Sequence, residues 1–346
     1  MLNRSIAVGA LVVALVTPSA AASQHRSLPA TGSSQYAKGG SHYKPFPAMA
    51  DSWYWEIDPP TAGLSGLPST TGLYPAPGSA HVWDTDLFSD SNTSYGSNLG
   101  IPTGPSPVVK ALHAAGHYSV CYVEAGAFQT GFPDDADFAK KDYGYGAKRY
   151  QMSGYPNEWW FDIAGFKNYV AGKASTLDQV AANIAGGLDD RFKWCALEGQ
   201  NAVEPDDTDG YTNTSATGAQ GGGWGLTQAD SAGFERWLAY QAHADGLAVL
   251  QKNDPANANV DEPLFDGALS EECNYYADPC AGQGGDWGAY LAAGKPVFNA
   301  EYTQDGETTA KFCSADDHWG IWGALFSVGL SGPKSYKVCW NAHNML

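Results

Sequence analysis

Residues 228–253, QADSAGFERWLAYQAHADGLAVLQKN, decide the fold because they contain one complete helix–strand unit. The first part predicts a helix over 228–244, and Gly246 can adopt the left-handed conformation that often ends a helix. The apolar run that follows predicts a buried strand over 248–253 with a polar end. A helix followed directly by a buried strand is typical of α/β proteins with parallel sheets.

The same alternation continues along most of the chain. Strands are predicted at 53–58, 80–86, 118–126, 158–163, 202–207, 248–253, 267–272 and 297–303. Helices are predicted between them at 107–115, 177–189, 228–244 and 287–293, and residues 314–340 are expected to supply a last helix and a closing segment. Eight such units predict an α/β fold, a (β/α)8 TIM barrel in a single domain with loop insertions. The alternative, an open doubly wound sheet, would need a glycine-rich phosphate loop after its first strand, and residues 59–66 (PPTAGLSG) lack that spacing.

The N-terminal region has the composition of an export signal. Arg4 precedes an apolar run over 6–16 and a small-residue end at 20–22, so residues 1–22 are predicted to be a signal peptide. The apolar run is too short to span a bilayer. Residues 23–47 are rich in Ser, Gly and Lys and predict a flexible leader, which leaves 48–346 for the barrel domain. We therefore expect a secreted, extracellular protein.

Six cysteines, an even number in an exported chain, favour disulfide bonds. Cys273 and Cys280 are seven residues apart in one loop-like segment, and we expect them to pair. Cys121–Cys195 and Cys313–Cys339 would complete the set, although the sequence leaves the connectivity of these four open. No C-x-x-C motif supports a zinc ribbon.

The charge balance excludes several classes of partner. The 346 residues include 37 acidic and 19 basic ones, for a formal net charge of −18. Such a surface repels phosphate backbones and anionic lipids, so nucleic acid and membranes are not expected partners. A cationic partner is favoured instead, and we expect the chain to be a monomer.

Acidic residues occur at the ends of seven of the eight predicted strands, where the reacting groups of a (β/α)8 barrel stand. Because it costs free energy to bury carboxylates near one another, their convergence indicates a function. Two carboxylates across a cleft are the minimum requirement for hydrolysing a glycosidic bond. Aromatic residues at the same ends could stack on sugar rings, with core packing as the alternative for each: Trp53, Trp55, Tyr122, Trp159, Trp160, Tyr211 and Tyr302.

Other chemistries have little support in the sequence. The segment 206–210 (DDTDG) resembles a calcium loop, but Pro205 occupies the position of the first ligand and no glutamate follows at the required spacing. There is no G-x-S-x-G or H-E-x-x-H motif. We therefore expect no metal and no cofactor.

Several blocks of the chain closely resemble glycoside hydrolase family 114, secreted endo-α-1,4-polygalactosaminidases with a TIM barrel. The blocks are WDTD at 83–86, LHAAGH at 112–117, CYVEAG at 121–126, WWFDI at 159–163, VEPDDTDGY at 203–211, AHADGLAVLQKND at 242–254, FDGALSEEC at 265–273 and VFNAEY at 297–302. The resemblance covers about residues 50–303. This sequence departs from the family pattern in a longer loop at 220–224 and in Glu56, where the family has Gln.

The resemblance implies that Asp206 and Glu271 are the catalytic carboxylates, and that the reaction is retaining hydrolysis of α-1,4-linked galactosamine chains. Our hypothesis makes Asp206 the nucleophile, kept ionised by Lys252, and Glu271 the general acid/base, with the opposite assignment open. Because side chains alternate along a strand, only one of Glu271 and Glu272 is expected to face the cleft.

Further residues at the strand ends are candidates for binding the sugar or its ammonium groups: Trp55, Asp58, Asp84, Asp86, Tyr122, Glu124, Asp162, Asp209, Tyr211, Lys252, Glu301 and Tyr302. Two other functions fit the same pattern. One is hydrolysis of a different α-linked exopolysaccharide, as by an α-galactosidase-like enzyme. The other is binding of carbohydrate without catalysis, although a lectin would have no need of a paired acid and nucleophile.

Overall fold

A computed structural model describes residues 43–47, 52–57, 82–88, 101–276, 280, 287–330 and 336–339. The predicted signal peptide, most of the predicted leader and the candidate Asp58 lie outside these residues. The end of the leader packs on the barrel: Phe46 is buried with its ring 4.8 Å from that of Tyr118, and the Tyr43 hydroxyl donates a hydrogen bond of 2.6 Å to Asp266. The packed part of the chain therefore begins before residue 48.

Eight parallel strands form the barrel. The strands, in chain order, are β1 (Trp53–Glu56), β2 (Val82–Asp86), β3 (Tyr118–Glu124), β4 (Ala127–Gln129), β5 (Glu158–Trp160), β6 (Ala202–Asp206), β7 (Ala248–Lys252), β8 (Gly267–Glu271), β9 (Val297–Tyr302), β10 (Trp322–Phe326) and β11 (Lys337–Val338). The sheet order is β1-β2-β3-β6-β7-β8-β9-β10-β11, and all of its pairs but the last are parallel. The indole nitrogen of Trp53 on β1 donates to the Trp322 carbonyl on β10 at 2.7 Å, which brings the two edges together. This arrangement confirms the predicted (β/α)8 class.

Helices connect the parallel strands. They are α1 (Pro107–Ala114), α2 (Gln179–Glu198), α3 (Gln228–Ala244), α4 (Ala258–Asp261), α5 (Gly288–Ala292) and α6 (Thr309–Trp319). Helix α3 has the predicted bounds because Thr227 and Asp230 form a reciprocal capping box at its start. Helix α2 extends beyond its predicted end to Gly199, whose φ of +93° closes it. In the described parts of the chain, no helix is long and apolar enough to cross a membrane.

Two of the predicted elements were wrong. Residues 158–163 are not a barrel strand: β5 pairs antiparallel with β4, and the two form a hairpin inserted between β3 and β6. The remaining barrel strand is β10, which lies in the segment assigned to the last helix and closing segment. An apolar run predicts burial but not the partner that buries it, so it cannot separate a barrel strand from a packed hairpin.

All six cysteines are paired, as Cys121–Cys195, Cys273–Cys280 and Cys313–Cys339. The expected pair is confirmed, and the open connectivity is settled. The first bridge joins β3 to α2 across 74 residues of sequence, and the third joins α6 to the segment after β11. Both therefore fix outer elements to the barrel.

Candidate active site

A buried lysine lies between the two predicted catalytic carboxylates. Asp206, Lys252 and Glu271 end three neighbouring strands, β6, β7 and β8. The Lys252 Nζ is 2.7 Å from Asp206 Oδ1 and 3.1 Å from Glu271 Oε2, and it also lies 3.1 Å from Glu204 Oε1. Parallel strands that end at one edge thus bring both acids to a single ammonium group.

The environment of Lys252 keeps its ammonium charged. Burial alone would lower the pKa of this lysine, but the carboxylates of Asp206, Glu271 and Glu204 outweigh burial and raise the pKa well above its usual value. The Nζ also lies 4.6 Å above the centre of the Trp55 ring. Trp55 is 1% exposed, so it supports the lysine and does not offer a stacking surface to a sugar, contrary to the sequence-based expectation.

Each catalytic candidate has further hydrogen-bond donors. Asp206 accepts from the Tyr122 hydroxyl at 3.0 Å and from the Asp207 backbone N–H at 2.8 Å. Glu271 accepts from the Asn253 amide at 2.9 Å and from the Tyr302 hydroxyl. The side chains of Asp206 and Glu271 are 14% and 24% exposed, so both are held in place and still reach solvent.

A cleft of about 720 Å³ opens beside these residues. Glu271 lines it directly, and Asp206 adjoins it through Asp207. The lining includes Met152, Tyr155, Trp160, Asp207, Asp209, Tyr211, Asn253, Asp254, Glu271, Glu272 and Tyr276. Tyr155 and Tyr276 are 55% and 63% exposed and present aromatic surface there. The sequence analysis identified neither, because both lie on loops away from the strand ends.

The three strands share an unusual backbone conformation at their ends. Asp207, Asn253 and Glu272, each directly after a member of the Asp206–Lys252–Glu271 set, have φ values of +58°, +49° and +56°. A left-handed residue breaks the alternation of the strand, and Glu271 and Glu272 both line the cleft as a result. The expectation that only one of them faces the cleft was therefore wrong.

The Asp207 turn also needs a glycine opposite it. Gly126, just beyond β3, donates its N–H to the Asp206 carbonyl at 2.9 Å. A Cβ atom at this position would lie 1.8 Å from the Asp207 carbonyl oxygen. The backbone that orients Asp206 can therefore approach β3 only because residue 126 has no side chain.

More carboxyl groups surround this centre and retain protons at unusually high pH. Burial and repulsion from Asp206 raise the pKa of Glu124 to about 8 and that of Glu158 to about 7. Burial, with the carboxyl of Asp305, raises the pKa of Glu272 to about 8. Carboxylate oxygens of Glu124, Glu158 and Asp207 lie within 4.8 Å of one another, a spacing that would suit a bound cation.

Asp84 lies close to the centre but deep inside the barrel. Burial and the neighbouring Glu204 raise the pKa of Asp84 well above its usual value, which favours its protonated form. Asp84 is 1% exposed. The structure therefore places it behind Lys252 rather than on the surface of the cleft.

Three predicted residues do not line the cleft and instead accept hydrogen bonds from nearby backbone. Asp86 accepts from the Phe88 N–H at 3.0 Å, Asp162 accepts from the Ala164 N–H at 3.3 Å, and Glu301 accepts from the Asn274 N–H at 2.8 Å. These carboxylates organise local backbone. The prediction that Asp162 lies at the end of a barrel strand was wrong, because β5 just before it belongs to the β4–β5 hairpin.

The remaining candidates are found at the cleft or in the core. Asp209 and Tyr211 line the cleft, and the Tyr211 hydroxyl donates to Asp254 at 2.8 Å. Trp53, Trp159 and Trp160 are all buried, and Trp160 also contributes to the lining.

The loop at 220–224, expected to be longer than in the family, forms part of the wall around Trp160. The Trp224 indole donates to the Trp160 carbonyl at 2.8 Å, and its ring stacks on Tyr150 with centroids 3.7 Å apart. Gly222 has φ +61°, and a Cβ there would lie 2.7 Å from the Trp160 ring. This loop is therefore packed against the cleft wall.

Solved structures resemble this fold. The crystal structure of Aspergillus fumigatus Ega3 in complex with galactosamine has a TM-score of 0.61 at 22% identity, with 87% of this chain and 100% of that chain covered. The glycoside hydrolase domain of Pseudomonas aeruginosa PelA has a TM-score of 0.50 at 14% identity, with 83% and 98% covered. Among curated protein sequences, none gives a significant match.

The sequence itself matches a family over most of its length. Residues 33–337 match the glycoside-hydrolase family GH114. That range includes every barrel strand and both carboxylates held by Lys252. The chain therefore belongs to glycoside-hydrolase family GH114 and is a glycoside hydrolase.

Proposed function

We propose that this protein is a secreted enzyme that cleaves α-1,4-galactosaminidic bonds in partly deacetylated galactosamine polymers, with retention of configuration. The main support is the contact of Asp206 and Glu271 with one lysine nitrogen. The contacting oxygens are therefore no more than about 6 Å apart, against about 5–5.5 Å in retaining and roughly 6.5–9.5 Å in inverting glycosidases.

In the first step, an oxygen of Asp206 forms a bond to the anomeric carbon while the bond from that carbon to the leaving oxygen breaks. Glu271, protonated at this stage, gives its proton to the leaving oxygen. In the second step Glu271 takes a proton from water, and the water oxygen displaces Asp206 from the anomeric carbon. Lys252 stabilises the negative charge that Asp206 carries before and after the covalent intermediate.

The charge of the cleft supports an amino sugar as substrate. Galactosamine units without acetyl groups are cationic when protonated, and the carboxyl groups of Asp207, Asp209, Glu271 and Glu272 line the cleft of a chain with net charge −18. Burial raises the pKa of Asp207 well above its usual value, that of Asp209 to about 7 and that of Glu272 to about 8, and a bound ammonium group would favour the ionised forms of all three. Such a cleft concentrates cations and repels anionic polymers. Ega3, which shares the fold, is found in complex with galactosamine.

Two observations support secretion. Residues 1–22 have the pattern of a signal peptide, and the three disulfides are a feature of proteins that fold in oxidising compartments. Analysis of the mature N-terminus after expression with the native leader tests this part of the proposal, and an uncleaved protein retained in the cell contradicts it.

The enzymatic proposal is tested by incubating the purified protein with deacetylated, partly acetylated and fully acetylated galactosaminan. We expect soluble oligosaccharides, detected by mass spectrometry, from the first two polymers, and products that first appear with the α-configuration by NMR. D206N and E271Q should abolish release. Cleavage of a different α-linked polysaccharide alone would overturn the substrate, an initial β-product would overturn retention, and binding without release of reducing ends would overturn catalysis.

A further inference from the structure

Asn253 contacts Glu271 through both ends of its side-chain amide. It follows Lys252 at the end of β7, the strand between those of Asp206 and Glu271. Its Nδ2 donates to Glu271 Oε2 at 2.9 Å, and its Oδ1 accepts from the Glu271 backbone N–H at 2.7 Å. The orientation of the amide is fixed by chemistry, because a backbone N–H only donates and an ionised carboxylate only accepts.

The backbone of Asn253 directs this side chain toward β8. Its φ is +49°, a conformation that asparagine and glycine tolerate better than other residues. Its own N–H donates to the Leu269 carbonyl on β8 at 3.1 Å. Aspartate would fit this turn but lacks the donor, and glycine would fit it without any amide. Asparagine combines the conformation, the donor and the acceptor.

We propose that Asn253 is a positioning residue for catalysis, which fixes the orientation of the Glu271 carboxylate and stabilises its ionised form. The inference rests on the proposed function, in which Glu271 must gain and lose a proton during each turnover. A hydrogen bond from a neutral amide favours the charged form of a carboxylate without adding charge to the site.

Several other groups face Glu271 and also affect the position and the ionisation of its carboxylate. They are Lys252 on β7, Tyr302 on β9, Asp206 on β6, Tyr155 on the loop before β5, and Glu272 beside it. Lys252 and Tyr302 also contact the carboxylate, so loss of Asn253 should weaken its position without releasing it completely. A partial loss of rate is therefore the expected result.

The test uses N253D and N253G, with N183D as a matched control. N253D keeps the acceptor and replaces the donor with a negative charge, whereas N253G keeps the left-handed turn and removes both bonds. Asn183 on α2 has the same arrangement away from the cleft, since it donates to Asp142 at 3.0 Å and accepts from Gln179 at 2.8 Å.

For both variants at 253 we expect kcat to fall about 10- to 100-fold with KM within about twofold, the loss associated with one hydrogen bond to a charged group. The limb of the pH–rate profile that reports Glu271 should move to higher pH, further in N253D than in N253G, because each change favours the protonated form. N183D should change neither kcat nor the pH–rate profile. Folded N253D and N253G with normal kcat and pH profile would overturn the proposal, as would a rise in KM alone, which would indicate direct contact with substrate.

A second measurement does not depend on activity. Carbon-13 spectra of protein labelled at glutamate carboxyls identify Glu271 as the resonance absent from E271Q. Its titration midpoint should lie at higher pH in N253D and N253G than in the wild type. If galactosamine polymers are not cleaved but this shift is present, the substrate proposal fails and the positioning role stands. If the polymers are cleaved and the midpoint is unchanged, the positioning role fails alone.

Discussion

Two buried cations in this barrel, Arg191 and Lys252, have very different surroundings. Arg191 on α2 makes a bidentate pair with Asp134 at 2.6 and 3.0 Å and donates to the Glu124 carbonyl at 2.5 Å. The rings of Phe88, Phe132 and Phe138 lie within 5.6 Å of its guanidinium carbon. Lys252 instead contacts three carboxylates, two of which reach solvent.

The difference separates a structural pair from a reactive one. The Arg191 pair has matched charges and is sealed from water, which is the arrangement that tolerates burial. The Lys252 centre has excess negative charge and opens to a cleft, an arrangement that costs stability and is found where charge must change during a reaction. Substitutions at the two cations should therefore affect different properties of the protein.

The largest expected effect is on activity, in K252M. Without the ammonium, Asp206, Glu204 and Glu271 repel one another, and the nucleophile loses its charge partner. We expect kcat on partly deacetylated galactosaminan to fall roughly a thousandfold, measured by release of reducing ends, with the circular dichroism spectrum retained. Activity close to that of the wild type would show that Lys252 has no role in catalysis, and the proposed difference between Lys252 and Arg191 would then be wrong.

R191M should instead lower stability. It leaves Asp134 charged and unpaired in an apolar shell, which costs about 3–5 kcal/mol of unfolding free energy. Denaturant titration followed by tryptophan fluorescence measures this loss, while kcat of the folded protein should change far less than in K252M. A variant as stable as the wild type would show that the pair does not hold α2 to the barrel.

The acids around Lys252 should make stability fall as the pH rises. The pKa values of Glu124 and Glu272 are raised to about 8 and that of Glu158 to about 7, so the folded chain binds more protons than the unfolded chain above about pH 4.5. The stabilisation of the folded state by these protonated carboxyl groups is fully present below about pH 4.5 and is lost by about pH 8. We expect Tm to decrease by roughly 5 °C or more between these limits, and E124Q to flatten the slope. An increase in Tm over this range would contradict the raised values.

The smallest effect should come from salt. Raising the ionic strength from about 10 mM to 1 M shortens the screening length from about 30 to 3 Å. We expect kcat/KM on deacetylated galactosaminan to fall about tenfold, because the cleft attracts a polycation through solvent. Partly acetylated polymer, which carries fewer ammonium groups, serves as the control and should show a smaller decrease. Turnover independent of salt would argue against attraction by the acidic cleft.

The sequence predicted the barrel and its reactive edge better than it predicted what surrounds them. The strand-end pattern predicted that acids would meet at one edge of the sheet, because parallel strands place their ends there whatever the loops between them do. The family resemblance selected Asp206 and Glu271 among these acids. Glu158 was missed because it reaches Glu124 through the β4–β5 hairpin, a pairing between residues about thirty positions apart. No local pattern encodes such an approach.

The role of Asn253 was missed for a different reason. The polar end of its strand was visible in the sequence, but the left-handed turn that aims the amide at Glu271 depends on the neighbouring strand. For Trp55 the sequence left sugar stacking and core packing open, because both occur near strand ends, and the side chain is buried in the barrel interior.

The contact between Gly126 and the Asp207 turn has a consequence for how such enzymes can diverge. Any side chain at residue 126 would displace the main chain of Asp207, which follows Asp206, the proposed nucleophile. The loop at 220–224, by contrast, packs on the wall of the cleft and makes no contact of this kind with the Asp207 turn. The position of Asp206 depends on two backbones in contact, so under the proposed mechanism replacement of Gly126 is expected to lower activity even where the barrel still forms.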